Sequence, residues 1–132
     1  MIVLDASAVL ELLLNTEGGS RVRGRISDPA ESLHAPHLLS VEVTQVLRRY
    51  VAARSIDAAI AAAALEDLAA LDIARYPHEA FLGRVWELRD SVTAYDAVYL
   101  VLSEILDAPL LTFDRRLAAS RGHGASVELV AG

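Results

Sequence analysis

Short apolar runs alternate with longer amphipathic stretches along this chain, and the alternation restricts the fold more than any other feature. Five short runs are candidate strands, at residues 1–4, 32–35, 72–75, 109–112 and 127–130. The first run does not alternate between polar and apolar residues, which is typical of a strand buried on both faces. Strands separated by helices predict an α/β fold, with a mainly parallel sheet of about five strands and helices on both faces.

The stretches between these strands carry helical patterns. Residues 38–54 place their apolar side chains on one side of a helix. An alanine-rich helix with Asp57 as its N-cap is predicted to follow, through residue 71. Further helices are predicted at 7–14, 20–27, 78–89 and 95–106, with a short one starting at Asp114. Residues 15–19, which include two glycines, are predicted to end the first helix.

Length and composition limit the class of protein. The 132 residues, of which 54% are hydrophobic and 23% charged, predict one globular domain spanning 1–132. No apolar stretch approaches the roughly 20 residues that cross a bilayer, so we expect no membrane span. The first residues lack a signal-peptide pattern and cysteine is absent, which favours a cytoplasmic protein without disulfides. The net charge of −6 argues against a broad electrostatic grip on nucleic acid, although metal ions can offset local negative charge in a nuclease.

Four carboxylates stand where a metal-dependent hydrolase would need them: Asp5, Glu42, Asp96 and Asp114. Asp5 and Asp114 directly follow predicted strands. In open parallel sheets, ligands bind at the carboxyl ends of the strands. Glu42 borders the apolar face of one helix, and Asp96 lies in the first turn of another. Carboxylates that repel one another in a partly dry pocket are stabilised by a hard divalent cation such as Mg2+. This pattern predicts metal-assisted hydrolysis.

Each carboxylate also has an ordinary structural explanation. Asp5 and Asp114 are suitable helix N-caps, and Thr93 with Asp96 matches a capping box. A glutamate at the position of Glu42 commonly reaches out to water. On this alternative the chain is a non-catalytic α/β binding module. A metal-dependent phosphatase or DNA nuclease is a third hypothesis.

Neighbouring polar residues extend the candidate site. The Ser7 hydroxyl can orient Asp5, hold a metal-bound water or simply cap a helix. Thr112 offers a hydroxyl to a metal-bound water or to a phosphate. Arg115 and Arg116 are candidate RNA contacts, with solvated arginines as the alternative. All 12 basic residues are arginine, and the lack of lysine excludes a P-loop NTPase.

Four segments of this sequence resemble the four signatures of PIN-domain ribonucleases. They are Ile-Val-Leu-Asp-Ala-Ser-Ala at 2–8, Ser-Val-Glu-Val at 40–43, Thr-Ala-Tyr-Asp-Ala at 93–97 and Leu-Thr-Phe-Asp-Arg-Arg-Leu at 111–117. Their order, the chain length and Pro-His-Leu-Leu at 36–39 are similar to VapC-type toxins of bacterial toxin–antitoxin pairs. The resemblance covers essentially the whole chain, and Thr-Ala-Tyr-Asp-Ala is its most specific element.

The resemblance implies a three-layer α/β/α fold and endonucleolytic cleavage of RNA, with tRNA or rRNA as the expected substrate and Mg2+ or Mn2+ as the cofactor. The acidic metal site that it implies consists of Asp5, Glu42, Asp96 and Asp114, with Ser7 and Thr112 as polar support. It also implies a homodimer and a VapB-like antitoxin whose C-terminal segment occupies the toxin's groove. Some family members carry another acidic or amide residue after the last aspartate, where this chain has Arg115 and Arg116. The number of metal ions therefore stays open.

The apolar helices give a separate reason to expect a dimer. Residues 95–106 are almost entirely apolar and the helix at 57–71 is rich in alanine. We therefore predict that two copies associate through apolar helix faces.

Overall fold

A five-stranded, wholly parallel sheet forms the centre of the computed structural model, which describes residues 1–131. The strands are β1 (Ile2–Leu4), β2 (Leu33–Pro36), β3 (Ile73–Tyr76), β4 (Leu110–Thr112) and β5 (Val127–Leu129). Their order across the sheet is β3-β2-β1-β4-β5. The predicted α/β/α class with about five strands is confirmed. The predicted domain extends to Gly132, which lies outside the described residues.

Seven helices connect and flank these strands within residues 1–131. They are α1 (Ala6–Leu13), α2 (Glu17–Arg25), α3 (Leu38–Ala52), α4 (Ala58–Ala70), α5 (Leu82–Glu87), α6 (Ala94–Leu106) and α7 (Arg115–Ala118). The chain moves outward from β1 to β3 and then returns to β4, so right-handed crossovers place α1–α4 on one face and α5 and α6 on the other. Accordingly, α1 contacts α2, α3 and α4, while α6 packs on β1, β2 and β4. Among the described helices, none combines the length and apolarity that a bilayer crossing requires.

The core lies on both faces of the sheet and is closed on one side by α6. All three residues of β1 are fully buried, as expected for a central parallel strand. Helix α6 is buried continuously from Ala97 to Ser103. Most of the apolar residues of α6, from which we predict a dimer face, are therefore buried in the core of the protein itself. Tyr95 and Ile105 are the apolar residues of α6 that remain exposed.

The chain changes direction across the sheet between β1 and β4. It leaves β1 toward β2 on one side, whereas β4 pairs with β1 on the other side. At such a switch point the loops after the two strands diverge and open a crevice. Asp5 follows β1 and Asp114 follows β4, so the topology alone brings these two residues to the same crevice.

The segment after α1 differs from the prediction. Helix α2 begins at Glu17 rather than at residue 20, and the Thr16 hydroxyl oxygen accepts a hydrogen bond from the Gly19 amide at 2.9 Å. The predicted turn at 15–19 is therefore wrong for its last residues. Glycine is needed there because the helices approach closely: a Cβ on Gly19 would lie 2.1 Å from the Glu11 carbonyl oxygen.

Two other helix predictions need adjustment. Asp57 precedes α4 as predicted, but its side chain makes no capping hydrogen bond. The helix predicted at 78–89 is divided into a 3-10 turn (Glu79–Phe81) and α5. The Phe81 amide bonds to the His78 carbonyl three residues back, which is the 3-10 pattern.

The approach of α1 and α2 generates a first prediction. Gly19→Ala is expected to destabilise the protein by about 1–3 kcal/mol, since the new methyl group meets backbone atoms that cannot rotate away. Gly24→Ala is the matched control, because Gly24 lies in the same helix with open space around it. Its substitution is expected to stabilise by about 0.5–1 kcal/mol through helix propensity. Urea unfolding of both variants measures the difference, and equal effects would contradict the close approach.

Candidate active site

Asp5 is held at the end of β1 by three hydrogen-bond donors. The Ser7 hydroxyl donates to Oδ1 at 2.6 Å, and the Ala8 amide donates to the same oxygen at 3.0 Å. The Thr112 hydroxyl donates to Oδ2. The Asp5 residue is only 7% exposed, so these bonds replace most of the water that a carboxylate would otherwise bind. Asp5 is thus the N-cap of α1, and its carboxylate is also fixed in position at the carboxyl-terminal end of the central strand.

The two hydroxyls that bond Asp5 are themselves fixed by the backbone after β4. The Phe113 amide donates to Ser7 Oγ at 2.9 Å, and the Asp114 amide donates to Thr112 Oγ1 at 3.0 Å. A hydroxyl has one proton to donate, and both protons are directed to Asp5. The network therefore ties the end of β1 to the end of β4 and sets the orientation of the carboxylate.

Glu42 reaches this region from α3, and Tyr99 reaches it from α6. Tyr99 is 2% exposed, and its hydroxyl lies beside Glu42 but outside normal hydrogen-bond geometry. Burial raises the pKa of Tyr99, and the charges of Glu42, Asp5 and Asp96 raise it further. The sequence prediction missed Tyr99, although its position three residues after Asp96 places both on one helix face. It brings an unpartnered hydroxyl among three carboxylates.

Asp96 and Asp114 line one cavity of about 520 Å3 at the edge of the sheet, together with Arg89 and Arg116. Both aspartates also take part in helix starts. The Thr93 hydroxyl oxygen accepts from the Asp96 amide at 3.2 Å, and Asp114 Oδ1 accepts from the Arg116 amide at 2.8 Å. Asp96 and Asp114 therefore stand at helix starts and also line the cavity, so the structural explanation does not exclude the functional one.

The four carboxylates influence one another electrostatically, and we call Asp5, Glu42, Asp96 and Asp114 the acidic cluster. Burial raises the pKa of Asp5, of Glu42 and of Asp96. Asp96 further raises the pKa of Asp5 and Glu42, and Asp114 raises that of Asp96. No basic side chain of the described residues is among these influences. The charges of Asp5, Glu42 and Asp96 are therefore not offset by a basic side chain in direct contact, although Arg89 and Arg116 line the neighbouring cavity.

The donor set suits a hard divalent cation in its chemistry, because it consists of carboxylate and hydroxyl oxygens. A cation would relieve both the burial and the mutual repulsion of the charged carboxylates. Within residues 1–131, no three acidic, histidine or cysteine side chains are close enough to enclose an ion directly. Mg2+ keeps several of its waters in proteins, so a hydrated ion fits the acidic cluster without three direct protein ligands.

Arg115 and Arg116, the two predicted RNA contacts, line different cavities. Arg116 lines the cavity that contains Asp96 and Asp114, whereas Arg115 lines a separate small cavity with Phe113. Arg89 was not predicted and enters the first cavity from the segment after α5. It is close in the chain to Thr93 and Asp96, which line the same cavity, but no pattern in the sequence indicates its placement beside Asp114 and Arg116.

The sequence of this chain matches one protein family over most of its length. The PIN domain model matches residues 2–122. Ribonuclease VapC12 of Mycobacterium tuberculosis is 40% identical over 131 residues, covering 99% of this chain and 100% of that protein. Ribonuclease VapC1 of the same organism is 43% identical, covering 97% and 96%. The crystal structure of M. tuberculosis VapC20, described as a sarcin–ricin loop cleaving toxin, is similar in fold, with a TM-score of 0.68 at 15% identity, covering 90% and 94%.

The electrostatics of the acidic cluster generate a second prediction. Asp96→Asn is expected to unfold at a higher temperature than the wild type at neutral pH in metal-free buffer, because burial and Asp114 disfavour the charged carboxylate. The pKa of Asp96 in the folded state lies above its ordinary value of 3.8, so the advantage grows as pH rises through the range above 3.8. It disappears below that range. Thermal unfolding followed by circular dichroism at several pH values measures it.

Asp57→Asn is the matched control for this experiment. It also removes one negative charge at a helix start, but from an exposed position away from the acidic cluster. Its effect is expected to stay within about 0.5 kcal/mol. An Asp96→Asn variant no more stable than the wild type at neutral pH would show that the acidic cluster is not under electrostatic strain.

Proposed function

We propose the activity of this chain from the family to which it belongs: it is a PIN-domain ribonuclease of the VapC toxin type. The proposed reaction is endonucleolytic cleavage of RNA that depends on Mg2+, with Mn2+ as an alternative ion. One observation carries the proposal. Carboxylates that follow β1 and β4 and that lie on α3 and α6 converge near the switch point of the sheet, and neighbouring carboxylate charges help to raise the pKa of Asp5, Glu42 and Asp96. Helix capping alone does not require such convergence.

The acidic cluster is the proposed metal site. Asp5, Glu42, Asp96 and Asp114 would hold the ion, in part through its waters. When bound, the ion would supply Lewis acidity toward a phosphate oxygen and toward water. The absence of a balancing arginine among the influences on these pKa values supports the assignment.

The protein groups have separate roles in the proposed reaction. Ser7 and Thr112 keep the Asp5 carboxylate in one orientation, so it need not reorganise during the reaction. Burial raises the pKa of Glu42 above its ordinary value, so its carboxylate is a stronger base and is suited to accept the proton of an attacking water. The Arg116 guanidinium is placed to bind a phosphate oxygen at the cavity.

Substrate and partners follow from the toxin type. We propose tRNA or rRNA as the substrate and a cognate VapB-like antitoxin as the inhibitor, because VapC toxins belong to toxin–antitoxin pairs. A homodimer is also proposed. The exposed apolar residues Ile60, Tyr95 and Ile105 on α4 and α6 are available for such an interface.

Cleavage of total bacterial RNA by antitoxin-free protein tests the reaction. The wild type is expected to give discrete products with Mg2+ or Mn2+ and none with EDTA. Asp96→Asn is expected to lower the cleavage rate by about 100-fold or more, while the matched Asp57→Asn variant cuts normally. Cleavage at the wild-type rate by both Asp96→Asn and Asp5→Asn would show that the acidic cluster is not catalytic.

Metal binding is tested without cleavage by thermal unfolding with increasing Mg2+ or Mn2+. A ligand that binds only the folded state raises the melting temperature as its concentration exceeds the Kd. The wild type and Asp57→Asn are expected to show this rise, and Asp96→Asn is expected to show a smaller one. A rise of the same size in all three proteins would place the ion elsewhere.

A further inference from the structure

The cavity beside Asp96 and Asp114 continues into a second, mostly apolar cavity, and the two form one groove. Their volumes are about 520 Å3 and about 410 Å3. They share a wall that includes Arg89 and Val92, and Trp86 lines the second cavity. We call this continuous surface, from the two aspartates to the indole, the Trp86 groove.

The indole at the end of the groove is unusually exposed. Trp86 is the single tryptophan of the chain and is 68% exposed. The Arg89 guanidinium lies 4.7 Å from the ring centroid, and Arg89 Nη1 donates a hydrogen bond to the Trp86 carbonyl oxygen at 3.0 Å. These contacts fix the arginine beside the ring. A tryptophan that keeps this exposure presents a flat π-surface on which a nucleic-acid base can stack.

Two arginines line the groove beside the carboxylates of Asp90, Asp96 and Asp114. Arg89 and Arg116 form no ion pair with a carboxylate in residues 1–131, whereas Arg25 and Arg84 are each paired with a glutamate. Guanidinium groups that remain unpaired are suited to bind phosphate oxygens. This charge, and the continuity with the acidic cluster, favour a nucleic acid over a protein as the occupant.

Resting on the proposed cleavage of RNA, we propose that the Trp86 groove is a subsite for single-stranded RNA beside the cleaved bond. Arg116 and Arg89 bind the backbone phosphates next to the reacting one, and the Trp86 ring stacks on the base of a flanking nucleotide. Every base has a π-face, so this subsite binds an unpaired nucleotide without selecting its sequence. The proposed subsite would let a protein with a net negative charge bind RNA locally.

The single tryptophan makes the test direct. Wild-type protein in EDTA is titrated with a short single-stranded RNA oligonucleotide, and tryptophan emission is followed. Quenching that saturates with binding is expected, because the base stacks on the only indole. An abasic oligonucleotide of the same length supplies the phosphates without the bases. It is expected to bind more weakly and to leave the emission nearly unchanged.

Variants separate stacking from charge. Trp86→Ala is expected to weaken RNA binding about tenfold by fluorescence anisotropy of labelled RNA, and Trp86→Phe is expected to restore most of it. Tyr50→Ala removes another partly exposed aromatic ring, on α3, and should leave binding unchanged. Arg89→Ala and Arg116→Ala should each reduce the slope of log affinity against log salt concentration by roughly 0.7.

The outcomes distinguish this subsite from the proposed activity. Unquenched emission, with equal RNA affinity for wild type and Trp86→Ala, would overturn the subsite even if the wild type cleaves RNA. Loss of self-association in Trp86→Ala by light scattering, with unchanged RNA binding, would overturn it too and assign the groove to a second copy. A wild type that binds and quenches as expected, but cuts no RNA with metal, would uphold the subsite and overturn the catalytic proposal.

Discussion

Burial of a carboxylate at the end of the central strand is the constraint on which the site depends. A charge in such a position is costly unless several donors replace its water. Asp5 meets this requirement with hydroxyls from Ser7 and Thr112, and the backbone after β4 fixes those hydroxyls in turn. The pairing of β1 with β4 therefore determines the strand order of the fold and also brings together the groups that hold Asp5. The crevice opens where this pair of strands ends.

Capping and catalysis are compatible in this molecule because both need a carboxylate with little freedom. Asp5 and Asp114 accept backbone amides at helix starts, and the Asp96 amide donates to the Thr93 hydroxyl oxygen that caps α6. For Asp5 and Asp114, the bond that stabilises the helix also fixes the direction of the carboxylate. What capping does not account for is the rise in the pKa of Asp5, Glu42 and Asp96, which belong to three different parts of the fold and to which the charge of a neighbouring carboxylate contributes in each case. That coupling supports the proposed metal site over a set of separate caps.

Much of the fold was predictable because buried parallel strands and long helices leave strong local patterns. The five strands, their parallel arrangement and the four carboxylates followed from such patterns. The start of α2 did not, because Gly18 and Gly19 read as a turn until the contact with α1 is known. The position of Arg89 at the cavity and the exposure of Trp86 leave no comparable pattern in the sequence. Tyr99 could have been predicted from the sequence, since it lies about one helical turn from Asp96.

The donors that complete the Asp5 network are distant in sequence from Asp5 itself. Thr112 follows Asp5 by 107 residues, with the strands β2 and β3 between them in the chain. Contacts of such long range form late in folding because they close large loops. During synthesis on the ribosome, a nascent chain that has not yet extended past β4 lacks half of the network. Such an unfinished chain has no assembled site, so the toxin gains its proposed activity only once β4 and the residues just after it have been synthesised.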